Sequence, residues 1–342
     1  MRVLVLGGSW SLGRLIADGC AHRGMDVTVF NRGRGAASVI DRVRLVHGDR
    51  KTDEDLHNLA GLGPWDVVVD IGGKVPAVVR RSARVLADVA ERYVSVSTIL
   101  VYRDWPHVPV HEDSPLHEGD PYFDPGEWTW EPGLYGRMKA GCEIACSEAF
   151  GDDRVLILRL HEIIGQREDD GPLLWWLNRM RRGGEVVVPA PDRPIQPVDV
   201  RDVAEFMIDV MAQPVTGALN VAAPREDRTY GALVRACAEV VSADAVAAPD
   251  LVWIDEDWLT REGVRQWTEL PLWRNAPAAW DTNVERALAL GLRCRPLIDT
   301  AAATWRRLLA NDPRIDHPRV TAYGMDPVRE AELIAQWRTT VR

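Results

Sequence analysis

Short apolar runs alternate with longer amphipathic stretches over the first half of the chain, and this alternation limits the possible folds more than any other feature of the sequence. The runs are rich in valine and continuously apolar, which is typical of parallel strands buried on both faces. Helical patterns lie between them, at 14–24 and 76–91. Seven runs are predicted as strands: 3–7, 26–33, 43–49, 66–73, 93–98, 154–160 and 217–223. Strands that alternate with helices predict an α/β fold with a doubly wound parallel sheet.

The rest of the chain has a different character. From residue 224 onward the pattern is helical and rich in tryptophan, which predicts a smaller, mostly helical second lobe. We expect the sheet domain to comprise residues 1–165 and about 195–223, and the lobe to comprise 166–194 and 224–342. Residues 103–134, rich in Pro, Asp and Trp, are predicted as a long loop, and long loops are often functional.

Composition narrows the class of protein. The 342 residues suffice for one large domain or two coupled ones, and their net charge of −10 argues against a nucleic-acid partner. No apolar run approaches the roughly 18 residues of a membrane span, and the first strand begins too early for a signal peptide. Five widely spaced cysteines indicate reduced thiols, no metal site and a cytoplasmic protein. The expected partner is a small-molecule substrate, and the chain could assemble as a homodimer.

A glycine-rich turn follows the first predicted strand. Gly7 and Gly8 end the strand, where a positive φ favours glycine, and Gly13 lies in the next helical turn, where a side chain would collide with the sheet. The free N–H groups at such a helix start can hold a pyrophosphate. An ordinary structural turn would use similar residues, so both interpretations stay open at this point.

The end of the second predicted strand bears on the choice of cofactor. NAD sites place a carboxylate there for the ribose 2′-hydroxyl, whereas NADP sites place a basic side chain there for the 2′-phosphate. The sequence has Asn31, Arg32 and Arg34 at this place and no carboxylate. NADP is therefore favoured over NAD, unless both arginines merely face solvent.

A tyrosine and a lysine form a second candidate site. Tyr135 and Lys139 are four residues apart in YGRMK, so they share one face of a predicted helix. A phenol in water has a pKa of about 10, too high for a base at neutral pH, and a nearby ammonium stabilises the phenolate. Ser97 and Thr98 end the fifth predicted strand, where hydroxyls point into a ligand crevice. A chance Tyr-x-x-x-Lys spacing on an exposed helix is the competing interpretation.

Further motifs follow these in a characteristic order. After the glycine turn come HGDR (47–50), STILVY (97–102), YGRMK (135–139), LRLHEIIG (158–165), IQPVDVRDVA (195–204) and GALNVAAP (217–224). In this order they resemble the extended short-chain dehydrogenases/reductases, which include the NAD(P)-dependent epimerases and dehydratases. The resemblance covers Met1 to about residue 225. Trp10 replaces the middle glycine of the family's G-x-x-G-x-x-G turn, as in a branch with a GGT-x-F-L-G-like turn.

The resemblance implies a Rossmann fold and hydride transfer at a hydroxyl or keto carbon of a substrate. Thr98, Tyr135 and Lys139 match the family's catalytic triad. Asp49 and Arg50 would lie beside the adenine of the cofactor, and His161 near its nicotinamide. The full set of expected cofactor contacts is Gly7, Gly8, Ser9, Trp10, Leu12, Gly13, Asn31, Arg32, Arg34, Asp49, Arg50 and His161.

Departures from the family pattern narrow the reaction. Ile99 and Leu100 follow Thr98, where nucleotide-sugar dehydratases carry Asp-Glu, so elimination is not expected. Glu162 falls near the position of an asparagine that binds a diphosphate, and a carboxylate there would repel one. Arg193 stands where the family often has an anion-binding arginine, which keeps a phosphorylated or nucleotide-linked substrate open.

The expected substrate contacts are Ser97, Trp130 and Arg193, and Trp128 could join Trp130 in walling the pocket beside Tyr135. The leading hypothesis is an NADP-dependent oxidoreductase that acts on a small molecule. The alternatives are a nucleotide-sugar epimerase with a retained cofactor and a non-catalytic dinucleotide-binding sensor or scaffold. RNA binding, known in the GGT-type branch, is disfavoured by the acidic charge balance.

The end of the chain is predicted to form a docked helix. Asp326 can cap it, Pro327 can occupy its first turn, and acidic residues follow near its positive end. We expect its apolar face, which would pack on the second lobe, to contain Ala331, Ile334, Ala335 and Trp337.

Overall fold

The structure is a computed structural model that describes residues 1–8, 11–33, 42–166, 171–226, 228–310 and 323–341. The chain divides into two units, of which the first comprises residues 1–161, 201–222 and 282–293. The second comprises 162–200, 223–281 and 294–342. Residues 282–293, which we expected in the lobe, belong to the first unit, and residues 162–165 and 195–200, which we expected in the sheet domain, belong to the second.

The strands, in chain order, are β1 (Arg2–Leu6), β2 (Asp26–Asn31), β3 (Val43–His47), β4 (Trp65–Asp70), β5 (Ala90–Thr98), β6 (Val155–Leu160), β7 (Ile163–Ile164), β8 (Gly184–Pro189), β9 (Val198–Asp199), β10 (Gly217–Val221) and β11 (Pro249–Ile254). The helices are α1 (Ser11–His22), α2 (Asp53–Ala60), α3 (Pro76–Leu86), α4 (Pro132–Phe150), α5 (Pro172–Arg182), α6 (Val200–Met211), α7 (Tyr230–Val241), α8 (Glu256–Arg261), α9 (Glu285–Ala289), α10 (Leu297–Leu309) and α11 (Pro327–Thr340).

A seven-stranded parallel sheet forms the centre of the first unit. Its strand order is β10-β6-β5-β4-β1-β2-β3, and every neighbouring pair runs parallel. This is the order of a doubly wound Rossmann sheet, so the predicted fold class is confirmed. The helix predicted over 76–91 ends earlier, at Leu86, because β5 begins at Ala90 and pairs there with Trp65.

Side chains that alternate along the strands enter two different apolar layers. Leu4 and Leu6 of β1 pack in a core with Leu86 of α3 and Phe150 of α4. The strand residues between them point to the opposite face of the sheet. Helices α1 and α6 pack closely on each other, because a Cβ added at Gly19 would lie 2.5 Å from Cδ1 of Ile208. The sheet is thus buried on both faces, as its continuous apolar runs predict.

The carboxyl ends of the central strands meet at one edge of the sheet. Leu6 of β1 pairs with Asp70 of β4, and Thr98 of β5 pairs with Leu160 of β6. The residues that directly follow these strands, including Gly7 and His161, therefore come together at this edge. In doubly wound sheets ligands bind outside this edge.

The second unit is helical with two short pairs of strands. Its helices are α5, α7, α8, α10 and α11, and its strand pairs are β8 with β11 and β7 with β9, both parallel. The pair formed by β8 and β11 was not predicted from the sequence. Most of the tryptophans in this unit serve its core: Trp176 and Trp273 are fully buried, and Trp258, Trp280 and Trp305 are nearly so.

Helix α11 confirms the docked helix predicted at the end of the chain. The Asp326 carboxylate accepts hydrogen bonds from the backbone N–H groups of Val328 and Arg329, so it is the N-cap. The buried face differs from the prediction: Ala331 and Ala335 are exposed, and the buried side chains are Glu330, Leu333 and Ile334. Glu330 is buried because Arg179 of α5 pairs with it, a partner that spacing along the helix cannot reveal.

A membrane span is not found among the helices of the described residues, none of which combines the necessary length with sufficient hydropathy.

Candidate active site

The glycine turn after β1 is closed by direct contact between its backbone segments. Gly7 and Gly8 have φ values of +115° and +78°, which L side chains rarely adopt. A Cβ added at Gly13 would lie 2.6 Å from the Cα of Gly8, so only glycine fits at the start of α1. Leu12 is buried beside it. Ser9, Trp10 and Arg34 lie outside the described residues.

The chain after β2 makes a tight turn. The Asn31 side-chain oxygen accepts a hydrogen bond from the backbone N–H of Gly33 at 2.8 Å, so its amide serves the turn. Arg32 is exposed next to it. The positive charge that the sequence predicts at the end of β2 is therefore accessible.

The segment after β3 contains Arg50, which is bound to other side chains of the protein. Arg50 makes two hydrogen bonds of 2.8 and 2.7 Å to the carboxylate of Asp70, and a third to Ser82. Tyr93 donates to the same carboxylate at 2.6 Å. Burial alone would raise the pKa of Asp70, but Arg50, together with Tyr93 and Lys139, outweighs the burial and holds that pKa below its usual range. The guanidinium of Arg50, which we expected beside an adenine, thus binds the carboxylate of Asp70 at the end of β4.

Asp49, the other expected adenine contact, shapes the chain that leads into α2. Its carboxylate accepts from the backbone N–H of Lys51 at 3.0 Å, and its own N–H donates to Asp55 at 2.7 Å. The side chain is half-buried.

Two adjacent hydroxyls at the end of β5 have opposite surroundings. Ser97 is 4% exposed and donates to the buried carboxylate of Glu143. Thr98 is half-buried, and its oxygen accepts from the N–H of Leu100 at 3.3 Å, which caps the 3₁₀ turn Ile99–Val101. Its hydroxyl proton has no acceptor among the described residues. The Thr98 hydroxyl can therefore donate to a ligand, whereas the Ser97 hydroxyl already donates to Glu143.

Helix α4 carries Tyr135 and Lys139 to the carboxyl edge of the sheet. The helix starts at Pro132, and the Glu131 carboxylate accepts from the N–H groups of Gly133 and Leu134. Lys139 is 3% exposed, and its ammonium donates to the carbonyl oxygen of Gly73 at 2.5 Å and to that of Val96 at 2.6 Å. Because an ammonium has three donors, one remains for another partner.

The charge of Lys139 is stabilised by its neighbours. Burial alone would lower the pKa of this ammonium, but the Tyr135 phenol, together with Cys142, Asp70 and Cys146, outweighs the burial and raises it. The side chain is therefore a cation at neutral pH. Tyr135 itself is half-buried.

Aromatic side chains surround two of the expected site residues. The ring of Trp128 is stacked on that of Tyr135, with 6.4 Å between the ring centroids and 12° between the planes. Trp130 is tilted against the same phenol at 6.4 Å and is 40% exposed. His161 is half-buried after β6, with Trp105 edge-on at 6.0 Å. Trp128 and Trp130 thus lie against Tyr135, and their role in walling a pocket stays a prediction.

A buried charge network next to the Ser97 hydroxyl was not predicted from the sequence. Glu143 of α4 binds Arg159 of β6 at 2.9 Å, and Arg159 also donates to the phenol oxygen of Tyr102. Glu143 lies four residues after Lys139, so it extends the helix face that carries Tyr135. An arginine within an otherwise apolar predicted strand was the signal that could have revealed this network.

Two further expected residues belong to the second unit. Arg193 pairs with Glu256 through Nε at 2.7 Å and through a second bond from Nη2. Trp273 donates to the same carboxylate at 2.6 Å. The arginine expected to bind an anion is therefore already paired with a carboxylate. Glu162 is half-buried, and its backbone carbonyl accepts from Val198.

The glycine turn and Lys139 are compatible with a bound dinucleotide. Among the described residues, no group of three or more His, Cys, Asp or Glu side chains could hold a metal ion. Gly7, Gly8 and Gly13 let the described parts of the turn pack closely on the protein beside the start of α1, whose first N–H groups would hold the pyrophosphate of a dinucleotide. Lys139, with one donor left, lies at the same edge of the sheet.

Comparison with known proteins places these features in a family. Residues 3–222 match the model of the NAD dependent epimerase/dehydratase family. No curated protein matches the chain by sequence.

Solved structures share the fold. The Bordetella bronchiseptica enzyme WbmH in complex with NAD+ aligns with a TM-score of 0.67 and 18% identity, covering 91% of this chain and 99% of that one. The UDP-glucose 4-epimerase of Thermotoga maritima, with UDP-glucose, gives 0.66 and 18%, covering 90% and 100%. The UDP-glucuronic acid 4-epimerase of Bacillus cereus, in complex with NAD, gives 0.63 and 14%, covering 91% and 99%. With its matched residues spanning more than half of its length, the chain belongs to the NAD dependent epimerase/dehydratase family.

Proposed function

We propose that the protein is an NAD(P)-dependent oxidoreductase that exchanges a hydride at a hydroxyl or keto carbon of a small molecule, with Thr98, Tyr135 and Lys139 as its catalytic residues. The observation that carries the proposal is the position of Lys139. Its ammonium is held at the carboxyl edge of the sheet by the carbonyls of Gly73 and Val96, and it interacts with the Tyr135 phenol one helical turn away.

Each of the three side chains has a role that follows from its surroundings. The Tyr135 phenol holds the proton that moves to or from the substrate oxygen, and the fixed ammonium of Lys139 stabilises negative charge on the phenol oxygen. Thr98 donates its free hydroxyl proton to the same substrate oxygen and so orients it. A bound nicotinamide cofactor supplies the hydride acceptor or donor.

The cofactor preference that we propose is NADP. The support is the exposed Arg32 at the end of β2 and the absence of a carboxylate from Asn31 to Gly33. The WbmH and UDP-glucuronic acid 4-epimerase structures contain NAD, which supports NAD as the alternative.

A nucleotide-sugar epimerase is the second candidate function, and the solved epimerases of the same fold favour it. The two candidates differ in cofactor turnover. A reductase consumes added NADPH in proportion to its substrate, whereas an epimerase oxidises and re-reduces the same carbon with no net change.

Replacement of Tyr135 by Phe tests the catalytic assignment, because it removes one oxygen. We expect the fold and cofactor binding to persist and the turnover rate to fall by about 10²–10⁴, the usual worth of a positioned acid/base. Turnover is measured by nicotinamide absorbance with any substrate that supports it. Tyr122→Phe is the matched control, since Tyr122 is 62% exposed and accepts a hydrogen bond from Arg80. Wild-type activity of the Tyr135 variant would overturn both candidate functions and favour a non-catalytic sensor.

A further inference from the structure

We propose that the loop of residues 103–131, here called the aromatic loop, selects uncharged substrates that carry a flat apolar ring next to the reacting carbon, and that Trp130 contacts this ring. The proposal rests on the proposed function, because it takes Tyr135 as the group that meets the substrate oxygen. It replaces the nucleotide-linked substrates of the solved epimerases with a neutral, ring-bearing ketone or alcohol.

The aromatic loop places three indoles against the two residues expected nearest the reacting carbon. Trp128 covers one face of the Tyr135 ring, with 12° between the planes, and Trp130 meets that ring at 43°. Trp105 contacts His161 edge-on at 6.0 Å. The aromatic loop thus makes two ring contacts with Tyr135 and one with His161. The surroundings of these two residues are therefore rich in aromatic surface.

Trp128 and Trp130 differ in how much of each side chain is exposed. Trp128 is half-buried against the phenol, whereas Trp130 keeps 40% of its surface exposed beside it. The exposed part of the Trp130 indole lies beside Tyr135, and its burial by an apolar ligand would be favourable. Aromatic rings stack on each other in offset or edge-on geometries, which a second ring from a substrate can satisfy.

Charge on the aromatic loop disfavours an anionic substrate. The loop contains eight Asp and Glu residues and one arginine, Arg103, which is paired with Asp104. Glu127 and Glu131 flank the two indoles and are both exposed. A diphosphate held near these carboxylates would be repelled, whereas a neutral ring would not.

The experiment compares two diketones that differ only in a ring: 1-phenyl-1,2-propanedione and 2,3-butanedione. We expect wild-type protein to reduce the phenyl compound with the lower KM. Trp130→Ala should raise KM for the phenyl compound roughly tenfold, the worth of one aromatic contact, and leave its kcat and the KM for butanedione nearly unchanged. Trp130→Phe should restore most of the loss. Tyr122→Ala is the control, because Tyr122 lies on the same loop but packs under Arg80 at 4.1 Å.

Equilibrium binding separates this proposal from the catalytic one. The phenyl diketone is titrated, by quenching of tryptophan fluorescence, into the Tyr135→Phe protein with and without Trp130→Ala. Weaker binding after loss of Trp130 supports the ring contact whether or not Tyr135 proves catalytic. Equal binding by both proteins, equal KM values for the two diketones, or tighter binding of UDP-glucose than of the phenyl compound would overturn it.

Discussion

Ser97 and Thr98, the two hydroxyl residues that end β5, are adjacent in sequence but have different hydrogen-bond partners. Ser97 donates to the buried carboxylate of Glu143, whereas the hydroxyl proton of Thr98 has no acceptor among the described residues. Residue type and position along the sequence are nearly the same for both, so only the surroundings distinguish them.

The substitutions Thr98→Val and Ser97→Ala should separate these roles. Thr98→Val should lower kcat by about 10², as loss of a donor to a reacting oxygen does, and leave cofactor affinity unchanged. Ser97→Ala should leave kcat within a few-fold of the wild type and lower the free energy of unfolding by about 1.5–3 kcal/mol, because a bond to a buried carboxylate is lost. Steady-state kinetics and urea unfolding measure the two effects. The reverse pattern, with the larger loss of kcat in Ser97→Ala, would assign the substrate contact to Ser97.

Arg32 gives the residue-scale prediction for the cofactor. If it meets the 2′-phosphate, Arg32→Ala should weaken NADPH binding about tenfold and leave NADH binding unchanged, because only one cofactor carries that group. Titration of both cofactors measures the change. Arg44→Ala, which removes an exposed arginine of the neighbouring strand β3, is the control. Equal affinity of the intact protein for NADPH and NADH would show that no basic side chain reads the phosphate.

At the scale of elements, helix α4 carries two of the three residues that we propose as catalytic. Tyr135, Lys139 and Glu143 recur every four residues on one face, and each contacts a different part of the site. Lys139 and Glu143 also fix the helix to β5, through the Val96 carbonyl and the Ser97 hydroxyl. These two bonds, one buried and one partly buried, join α4 to the end of β5, where Thr98 lies.

A buried ion pair between Arg179 and Glu330 holds helix α11. Loss of this ion pair should lower the free energy of unfolding. Glu330 binds Arg179 and also accepts from the N–H of Val187, while Arg179 donates to the carbonyls of Gly183 and Glu185. Glu330→Ala leaves the arginine buried without its carboxylate, which costs about 3–5 kcal/mol. Glu332→Ala, two residues away on the exposed face, should cost under about 0.5 kcal/mol. Urea unfolding measures both variants, and similar losses would refute the assignment.

The sequence predicted the elements whose pattern neighbouring residues reveal, and it missed the side-chain pairs that join different elements. The continuous apolar runs and the glycine turn follow from periodicity and backbone geometry, which neighbouring residues reveal. Arg50 could not be assigned to Asp70, nor Arg193 to Glu256, because each partner lies in another element. The strands β8 and β11 escaped notice because they lie in the part of the chain that was interpreted as a mostly helical lobe.

At the scale of the whole molecule, the burial of thiols in the core makes the stability of the protein depend on pH. Cys20, Cys142, Cys146 and Cys237 are buried in the described structure, and Cys294 is half-buried. Burial raises the pKa of Cys20 to about 12 and that of Cys142 to about 12, and it raises that of Cys146 further. These thiols stay protonated in the folded protein at a pH where the unfolded chain has lost their protons.

Stability should therefore fall as the pH rises from about 9 toward 12. In this range the unfolded state binds fewer protons than the folded state, so the free energy of unfolding decreases with pH, by at most about 1.4 kcal/mol per pH unit for each thiol. The raised pKa values of the buried Tyr93 and Tyr230 act in the same direction at the upper end of the range. Urea unfolding at pH 8, 9 and 10, in the presence of a reductant, measures the slope. Cys142→Ala should make the slope shallower by up to one thiol's share, and a free energy of unfolding that stays constant from pH 8 to 10 would contradict the burial of these thiols.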